Sequence, residues 1–133
     1  MVTQLRFWNE LRQWSIVPEA SINGLPFINV KDSPYNAAGT GSVDDSPAFA
    51  SAIAAAVAQS AALGQLGGLV VVPTGNYALH TGVTIPDYVR LVGVSQNATY
   101  LNDGGNNTDP VVTLAGFRAH VENMTINGCG RAG

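Results

Sequence analysis

The chain has 133 residues and a formal net charge of −3, and only 11% of its residues are charged, against about 25% in an ordinary soluble domain. One lysine and five arginines offer no basic patch for a phosphate backbone, which argues against nucleic-acid binding. The hydrophobic share of 46% argues against a disordered chain, and the length indicates one domain with its own core. The single cysteine, Cys129, excludes a disulfide framework and a thiolate metal cluster.

An apolar stripe with aromatic residues marks the start of the chain. Its spacing predicts a short amphipathic helix over residues 1–17, which Pro18 ends. Such a stripe either docks on its own domain or inserts into a partner protein, because exposed aromatic clusters mark contact surfaces. Residues 18–26 are interpreted as a linker, and the first residues lack the pattern of a signal peptide. The positions that form the stripe are Leu5, Phe7, Trp8, Leu11 and Trp14.

The clearest helix of the sequence is predicted over residues 47–63. Ser46 is a favourable N-cap, Pro47 suits the first helical position, and Gly64 supplies a C-terminal stop. The charge-free stretch that contains this helix is not a membrane span, because glycines, prolines and polar residues interrupt its apolar residues. The face predicted to be buried carries residues at four-residue spacing, namely Phe49, Ile53 and Val57.

The rest of the sequence alternates short β runs with Gly, Pro, Asn and Asp. One helix followed by many closely spaced strands indicates an all-β body: a sandwich, a barrel or a β-solenoid. The predicted strands are Phe27–Lys31, Leu69–Val72, Tyr77–Leu79, Val83–Ile85, Val89–Val94, Thr99–Leu101, Val111–Leu114 and His120–Ile126.

Several motifs follow each other in the order found in pectate-lyase-like β-helix proteins, and the chain resembles that family over residues 27–128. The motifs are Ile28-Asn-Val-Lys-Asp32, Gly39-Thr-Gly-Ser-Val-Asp-Asp-Ser-Pro-Ala48, Gly67-Gly-Leu-Val-Val-Val-Pro-Thr-Gly-Asn-Tyr77, Val83-Thr-Ile-Pro86, Val89-Arg-Leu-Val-Gly93 and Val121-Glu-Asn-Met-Thr-Ile-Asn-Gly128. The resemblance implies a mainly β fold, the first rungs of a right-handed parallel β-helix. In this interpretation the helix 47–63 caps the coil, and the short amphipathic helix precedes it. Residues 1–24 then form the anchoring helix and linker, and residues 25–133 form the start of the β-helix.

Charged residues of the predicted body receive structural interpretations. Asp44 and Asp45 precede a helix N-terminus, where negative charge is favourable, so the pair is interpreted as a cap and loop-fixing element rather than a catalytic dyad. Arg90 and Arg118 each lie beside a strand and are interpreted as solvated rung positions.

Metal sites find little support in the sequence. His80 and His120 are 40 residues apart without a nearby His or Cys partner, which argues against zinc. Asp103 and Asp109 border an Asn/Gly-rich loop with oxygen ligands for calcium, but the spacing matches no known ligand loop. The sequence therefore assigns no catalytic, cofactor-binding or metal-binding residue. The N-terminal aromatic stripe is the one predicted partner contact.

The resemblance also implies a function. The family includes pectate lyases, polygalacturonase relatives and bacteriophage tailspikes that bind or depolymerise surface polysaccharides. We expect residues 1–24 to anchor a tailspike or tail fibre to other virion proteins, and the remainder to form its β-helical base. This expectation places a homotrimer in the virion tail, without cofactor, with host polysaccharide recognised by rungs beyond this chain. The alternative is the N-terminal part of an extracellular polysaccharide lyase or glycoside hydrolase. Because the family's catalytic residues lie on central rungs, we expect this chain alone to cleave no polysaccharide.

Overall fold

The computed structural model describes the backbone of residues 6–8, 14–16, 21–22 and 25–26, and both backbone and side chains of residues 27–64, 67–105 and 110–128. In chain order its elements are β1 (Arg6–Trp8), β2 (Trp14–Ile16), β3 (Ser21–Ile22), β4 (Leu25–Pro26), β5 (Ile28–Asn29), β6 (Thr40–Asp44), α1 (Ser46–Ala62), β7 (Gly68–Val72), β8 (Gly75–Leu79), β9 (Val83–Ile85), β10 (Val89–Gly93), β11 (Thr99–Asp103), β12 (Val112–Leu114), β13 (His120–Glu122) and β14 (Thr125–Asn127).

Three parallel sheets form the body of the protein. The first sheet has the strand order β5–β7–β10–β13, the second β6–β8–β11–β14, and the third β9–β12. The chain visits the sheets in turn, through β7, β8 and β9 and then through β10, β11 and β12, before β13 and β14 begin another circuit. Each of these strands pairs in parallel with the strand one circuit away, so the architecture is β-helix-like. Of the three all-β architectures that the sequence left open, the structure therefore supports the β-solenoid.

Columns of apolar side chains fill the interior of the coil. In the first sheet Ile28, Val70 and Leu91 are successive register partners, and all three are buried. In the second sheet Tyr77 is the register partner of Leu101, and neither residue has exposed surface. Burial of one such side chain contributes about 1.5–3 kcal/mol to folding. The columns therefore hold successive rungs together from within.

The outer face of the second sheet carries a ladder of asparagines. The side-chain amide of Asn127 donates to Oδ1 of Asn102 at 2.6 Å, and the amide of Asn102 donates to Oδ1 of Asn76. These bonds link three rungs on the solvent side of the sheet.

Helix α1 closes the start of the coil. The rings of Phe49 and Tyr77 meet edge to face, with centroids 5.4 Å apart and planes at 73°. The Tyr77 hydroxyl donates to the carbonyl of Pro73 at 2.7 Å. Burial, with a smaller effect of the Asp45 charge, raises the pKa of Tyr77 to about 12. The phenol is therefore a neutral, hydrogen-bonded core residue.

The ends of α1 lie one residue from their predicted positions. Gly64 adopts a φ of +72°, a left-handed conformation in which glycine stops a helix at little cost, as expected. The N-cap, however, is Asp45 and not Ser46. The hydroxyl of Ser46 is otherwise engaged, since it donates to the carbonyl of Thr81 at 3.1 Å and accepts from the Thr81 N–H at 3.0 Å.

The prediction for the buried face of α1 is correct at Phe49 and Ile53 and wrong at Val57. Phe49 and Ile53 are 0% and 6% exposed, whereas Val57 is 42% exposed. In the last turns the buried positions are Ala56 and Ser60, and the sheet comes very close to Ala56. A Cβ atom on Gly68 would lie 2.2 Å from the carbonyl oxygen of Ala56. This close approach selects the small residue for the interface and turns its larger neighbour outward.

The N-terminal helix predicted over residues 1–17 is wrong at the positions that the structure describes. β1 and β2 form an antiparallel pair, in which Trp8 lies opposite Trp14 and Phe7 opposite Ser15. Aromatic and β-branched residues favour strands, and here that preference prevails over the helical spacing. Part of the predicted linker is also structured, because β3 pairs with β4 in a second antiparallel hairpin.

Strand boundaries differ from the predictions mainly at irregular positions. The first predicted strand shrinks to Ile28–Asn29, and strand β6 was missed because all five of its residues are exposed and carry no apolar alternation. The last predicted strand is split at Asn123, whose φ of +59° turns the chain between β13 and β14. No helix in the described part of the chain is long and apolar enough to cross a membrane.

Candidate functional site

The paired aspartates before α1 hold backbone in place. The carboxylate of Asp45 is 2% exposed and accepts from the N–H groups of Ala38 at 2.7 Å and Gly39 at 2.9 Å. Asp44 Oδ1 accepts from the N–H groups of Ser46 at 3.0 Å and His80 at 3.2 Å. Both carboxylates are thus occupied by main-chain donors, and the predicted loop-fixing role is confirmed. Asp45 is the N-cap residue of α1, but its side chain makes no capping hydrogen bond to the helix.

The pKa of Asp44 reflects this arrangement. Slight burial acts to raise the pKa, but hydrogen bonds from Ser46 and His80 lower it more strongly. The carboxylate is therefore ionised at neutral pH and serves as an acceptor for the helix start.

A cluster of ionisable side chains lies on the outer face of the first sheet. Arg90 of β10 is the register partner of His120 of β13, and Glu122 follows two residues later on the same face. Glu122 Oε2 lies 2.9 Å from Nη2 of Arg90, and its Oε1 lies 2.8 Å from Nε2 of His120. The hydrogen bond with His120 lowers the pKa of Glu122 most, and the charge of Arg90 lowers it further.

An aromatic pair borders this cluster at the turns that enter β10 and β13. The rings of Tyr88 and Phe117 meet edge to face, with centroids 5.8 Å apart. Phe117 is 62% exposed, and the guanidinium carbon of Arg118 lies 5.2 Å from the centroid of its ring. Tyr88 and Arg118 have φ angles of +63° and +61°, so the two turns repeat a left-handed position one rung apart.

Backbone contacts between the two turns hold the aromatic pair in position. The N–H of Tyr88 donates to the carbonyl of Phe117 at 2.9 Å, and the N–H of Phe117 donates to Asp87 Oδ1 at 2.6 Å. Gly116 is required for this contact, because a Cβ atom there would lie 2.1 Å from the nitrogen of Asp87. The aromatic rings therefore lie on a fixed main-chain support.

We name these six residues the polar–aromatic patch. Its members are Arg90, His120, Glu122, Tyr88, Phe117 and Arg118. The sequence did not predict it, because Arg90 and Arg118 were interpreted as separate solvated positions. Arg90 and Glu122 are 32 residues apart in the chain, and only the register of β10 with β13 brings them together. A repeat of aromatic and basic residues at the two turns is the one sequence signal that could have indicated it.

The patch combines the groups that recognise hydroxylated ligands. Phe117 offers an exposed ring, Arg90 and Arg118 offer N–H donors, and the ionised Glu122 offers an acceptor. The lowered pKa of Glu122 suits hydrogen-bond acceptance and not proton donation at neutral pH. The arrangement offers groups that can bind a ligand and no neutral carboxyl group that could donate a proton.

The predicted partner-contact residues fall at the N-terminal hairpin. Phe7 and Trp8 lie in β1 and Trp14 lies in β2. Leu5 and Leu11 lie outside the described residues, and the contact they were predicted to make stays a prediction.

The Asn/Gly-rich loop whose spacing argued against a calcium site is described only in part. Asp103 is 9% exposed, and its Oδ1 accepts from the N–H of Gly105 at 2.9 Å, whereas Asp109 lies outside the described residues, as does Cys129. Within the described ranges no group of three or more His, Cys, Asp or Glu residues could hold a metal ion.

Comparison with known proteins yields one family. The family model described as rhamnogalacturonase A/epimerase, pectate lyase-like, matches residues 27–128. No curated protein and no solved structure gave a significant match. The matched region contains the three parallel sheets, α1 and the whole polar–aromatic patch, and it begins after the two N-terminal hairpins.

Proposed function

Because the chain belongs to the pectate lyase-like family of rhamnogalacturonase A/epimerase, we propose that it binds a polysaccharide through the polar–aromatic patch. The observation that carries this proposal is the exposed Phe117 ring, supported by Tyr88 and overlain by Arg118. The apolar face of a sugar packs on an aromatic ring, and its hydroxyl groups pair with the flanking donors and acceptors.

The regularity of the coil makes the patch suitable for an extended ligand. Arg90 and His120 occupy equivalent positions on adjacent rungs, and so do the turns that carry Tyr88 and Phe117. Neighbouring strands in a sheet are about 4.8 Å apart, which is close to the length of one sugar unit.

We propose that the coil is right-handed, since nearly all parallel crossover connections have that hand.

Binding is tested with the complete chain by affinity electrophoresis in gels that contain polygalacturonate, a bacterial capsular polysaccharide or neutral dextran. We expect retardation in at least one gel, and we expect Phe117→Ala and Arg118→Ala to reduce it. Val94→Ala is the matched control, because Val94 is 56% exposed and lies outside the patch. Equal mobility in all gels, or retardation unchanged by Phe117→Ala, contradicts the proposal.

A second candidate function is polysaccharide cleavage. The family description, which names a rhamnogalacturonase and an epimerase, favours it. Glu122, held between His120 and Arg90, is the carboxylate of the patch to test. We expect incubation of the chain with polygalacturonate, with and without calcium, to release no new reducing ends. Release that Glu122→Gln abolishes favours the catalytic candidate instead.

For the N-terminal segment we propose attachment of the β-helix to a larger assembly. Support comes from the two hairpins, whose sheets are separate from the coil sheets and precede the family match. In the version we favour, residues 1–24 anchor a homotrimeric tailspike to virion tail proteins. Sedimentation of the complete chain tests whether it forms a trimer. The anchor is tested by comparing how well the complete chain and a chain without residues 1–24 co-purify with phage tail components. A monomer, or equal co-purification, contradicts this version while leaving polysaccharide binding unaffected.

A further inference from the structure

A groove runs between α1 and the third sheet. Its first part has a volume of about 330 Å³ and is lined on one side by Ile53 and Val57 and on the other by Thr84 and Pro86. Its second part, of about 430 Å³, shares Val57 and Pro86 and extends to Asp87. The exposed side chain of Val57, which the helical spacing predicted to be buried, faces this groove.

One edge of β9 is unpaired along the groove. In the part of the chain that the structure describes, β9 pairs only with β12. Towards β12 the N–H of Val83 donates to Val111 at 3.0 Å, and the carbonyl of Ile85 accepts from Ala115 at 3.0 Å. Main-chain groups alternate between the two edges of a strand, so the N–H and carbonyl of Thr84 point to the opposite edge, on the side of α1.

The missing strand results from the fold. In the first and second sheets, β5 and β6 precede the rung of β7 and β8, whereas in the third sheet the chain has α1 at the corresponding place. The helix covers the core through Phe49 and Ala52 but offers no extended backbone to β9. An unpaired edge beside an apolar groove is the arrangement to which extended peptides add a strand.

The lining residues define the chemistry of the occupant. All ten residues around the first part of the groove are uncharged, and the second part adds a single charge, the Asp87 carboxylate. Asp87 Oδ1 already accepts from the N–H of Phe117, and the other oxygen faces no described donor. A strand that is uncharged beside Thr84 and basic beside Asp87 therefore matches this groove.

We propose that the groove binds an extended strand of a partner protein, paired in parallel with β9. The strand contributes main-chain hydrogen bonds to Thr84, places small or β-branched side chains against Val57 and Pro86, and carries a Lys or Arg at its C-terminal end near Asp87. The parallel direction follows the rest of the coil, where every described pair is parallel.

The test uses the complete chain and the synthetic peptide acetyl-Val-Thr-Val-Thr-Lys-amide. Amide hydrogen exchange at Thr84 is followed by NMR, and we expect it to slow about tenfold when the peptide concentration is about ten times its Kd. The same peptide with N-methylated central residues is the matched control, because it keeps the side chains and loses main-chain donors. A peptide ending in Glu tests the charge, and Asp87→Asn, which keeps an acceptor for Phe117, removes the preference for Lys over Glu.

A charge in the groove blocks the occupant. Val57→Asp is expected to abolish the protection of Thr84, whereas Val94→Asp, at an exposed position outside the groove, leaves it unchanged. The proposal is overturned if millimolar peptide gives no protection, or if the N-methylated peptide protects equally. Protection of the Thr84 amide without any peptide also overturns the proposal. If that protection rises with protein concentration, a second copy of the chain covers the edge. If it does not change with protein concentration, a segment of the same chain covers the edge.

Discussion

Replacement of Asp45 by asparagine is the sharpest test of how the loop before α1 is held. Both carboxylate oxygens of Asp45 accept main-chain hydrogen bonds, from Ala38 at 2.7 Å and from Gly39 at 2.9 Å. Asparagine has the same shape but only one acceptor oxygen. Its NH2 group would face one of the two backbone N–H groups, so that two donors face each other. The variant therefore loses at least one of the two bonds at a site that is 2% exposed.

The magnitude follows from the charge of the acceptor. A hydrogen bond to a charged group contributes about 1.5–3 kcal/mol, so we expect Asp45→Asn to lower the free energy of unfolding by about 2–4 kcal/mol. That loss is large against a typical total of about 5–15 kcal/mol, but it leaves a folded state to measure. The charge of Asp45 also raises the pKa of Tyr77, so the variant is expected to lower that pKa from about 12. Burial, the larger cause, keeps it above its ordinary value of 10.0.

Urea denaturation followed by circular dichroism gives the free energy, and ultraviolet absorbance against pH follows the phenol. Asp44→Asn is the matched control, because Asp44 is exposed and its single bonded oxygen can be replaced by the amide oxygen. We expect it to cost less than about 1 kcal/mol, as other exposed substitutions do. Equal costs for the two variants would refute the loop-fixing role of Asp45. An unchanged pKa of Tyr77 would show that the charge of Asp45 does not act on the phenol.

Three further predictions test the packing and the patch. Phe49→Ala is expected to lower the free energy of unfolding by about 3–5 kcal/mol, and Val57→Ala by less than about 1 kcal/mol. Similar urea midpoints for the two variants would contradict the burial of Phe49 and the exposure of Val57 on α1. Gly68→Ala forces a Cβ atom against the helix backbone and is expected to lower the free energy of unfolding by about 1–3 kcal/mol. Thermal melting measures the effect, and Gly128→Ala is the neutral control, because no atom lies within 4 Å of its Cβ position. The pKa of Glu122 is lower when folded than its ordinary 4.5, so its stabilising effect is present above 4.5 and is lost as pH falls through the lower folded value. Glu122→Gln should therefore reduce the loss of stability on acidification, and an unchanged acid unfolding curve would show that the ion pairs are absent in solution.

Local sequence signals were sufficient for the elements whose ends and faces are set by neighbouring residues. Proline near the start and Gly64 after the end delimit α1 whatever it packs against, and both ends were predicted to within one residue. Alternation of apolar residues located most of the short strands, since a strand with one face in the core must alternate. The ordered motifs then selected the β-helix among the all-β alternatives, and the family match over residues 27–128 confirms that choice.

Local signals failed where two elements compete or cooperate across the chain. The aromatic N-terminal residues fit a helical spacing, but β1 and β2 can pair with each other, and pairing satisfies the backbone of both segments. Val57 lies on the predicted apolar face of α1, yet the close contact between Gly68 and Ala56 rotates that turn so that the small residue is buried.

The candidate site shows the same division. Composition and motifs determined that this is a β-helix-like protein of the pectate lyase-like family with few charges. Only the tertiary structure decided that Arg90, His120 and Glu122 form one cluster. It also decided that, among the described strands, none pairs with the edge of β9 at Thr84 beside α1. The physical reason is that each strand of the coil pairs with a strand between 21 and 42 residues away, as the partners Val89 and Gly68 and the partners Ile28 and Val70 show. The register between rungs is set by how side chains of several strands pack in the coil interior, and no short stretch of sequence encodes it.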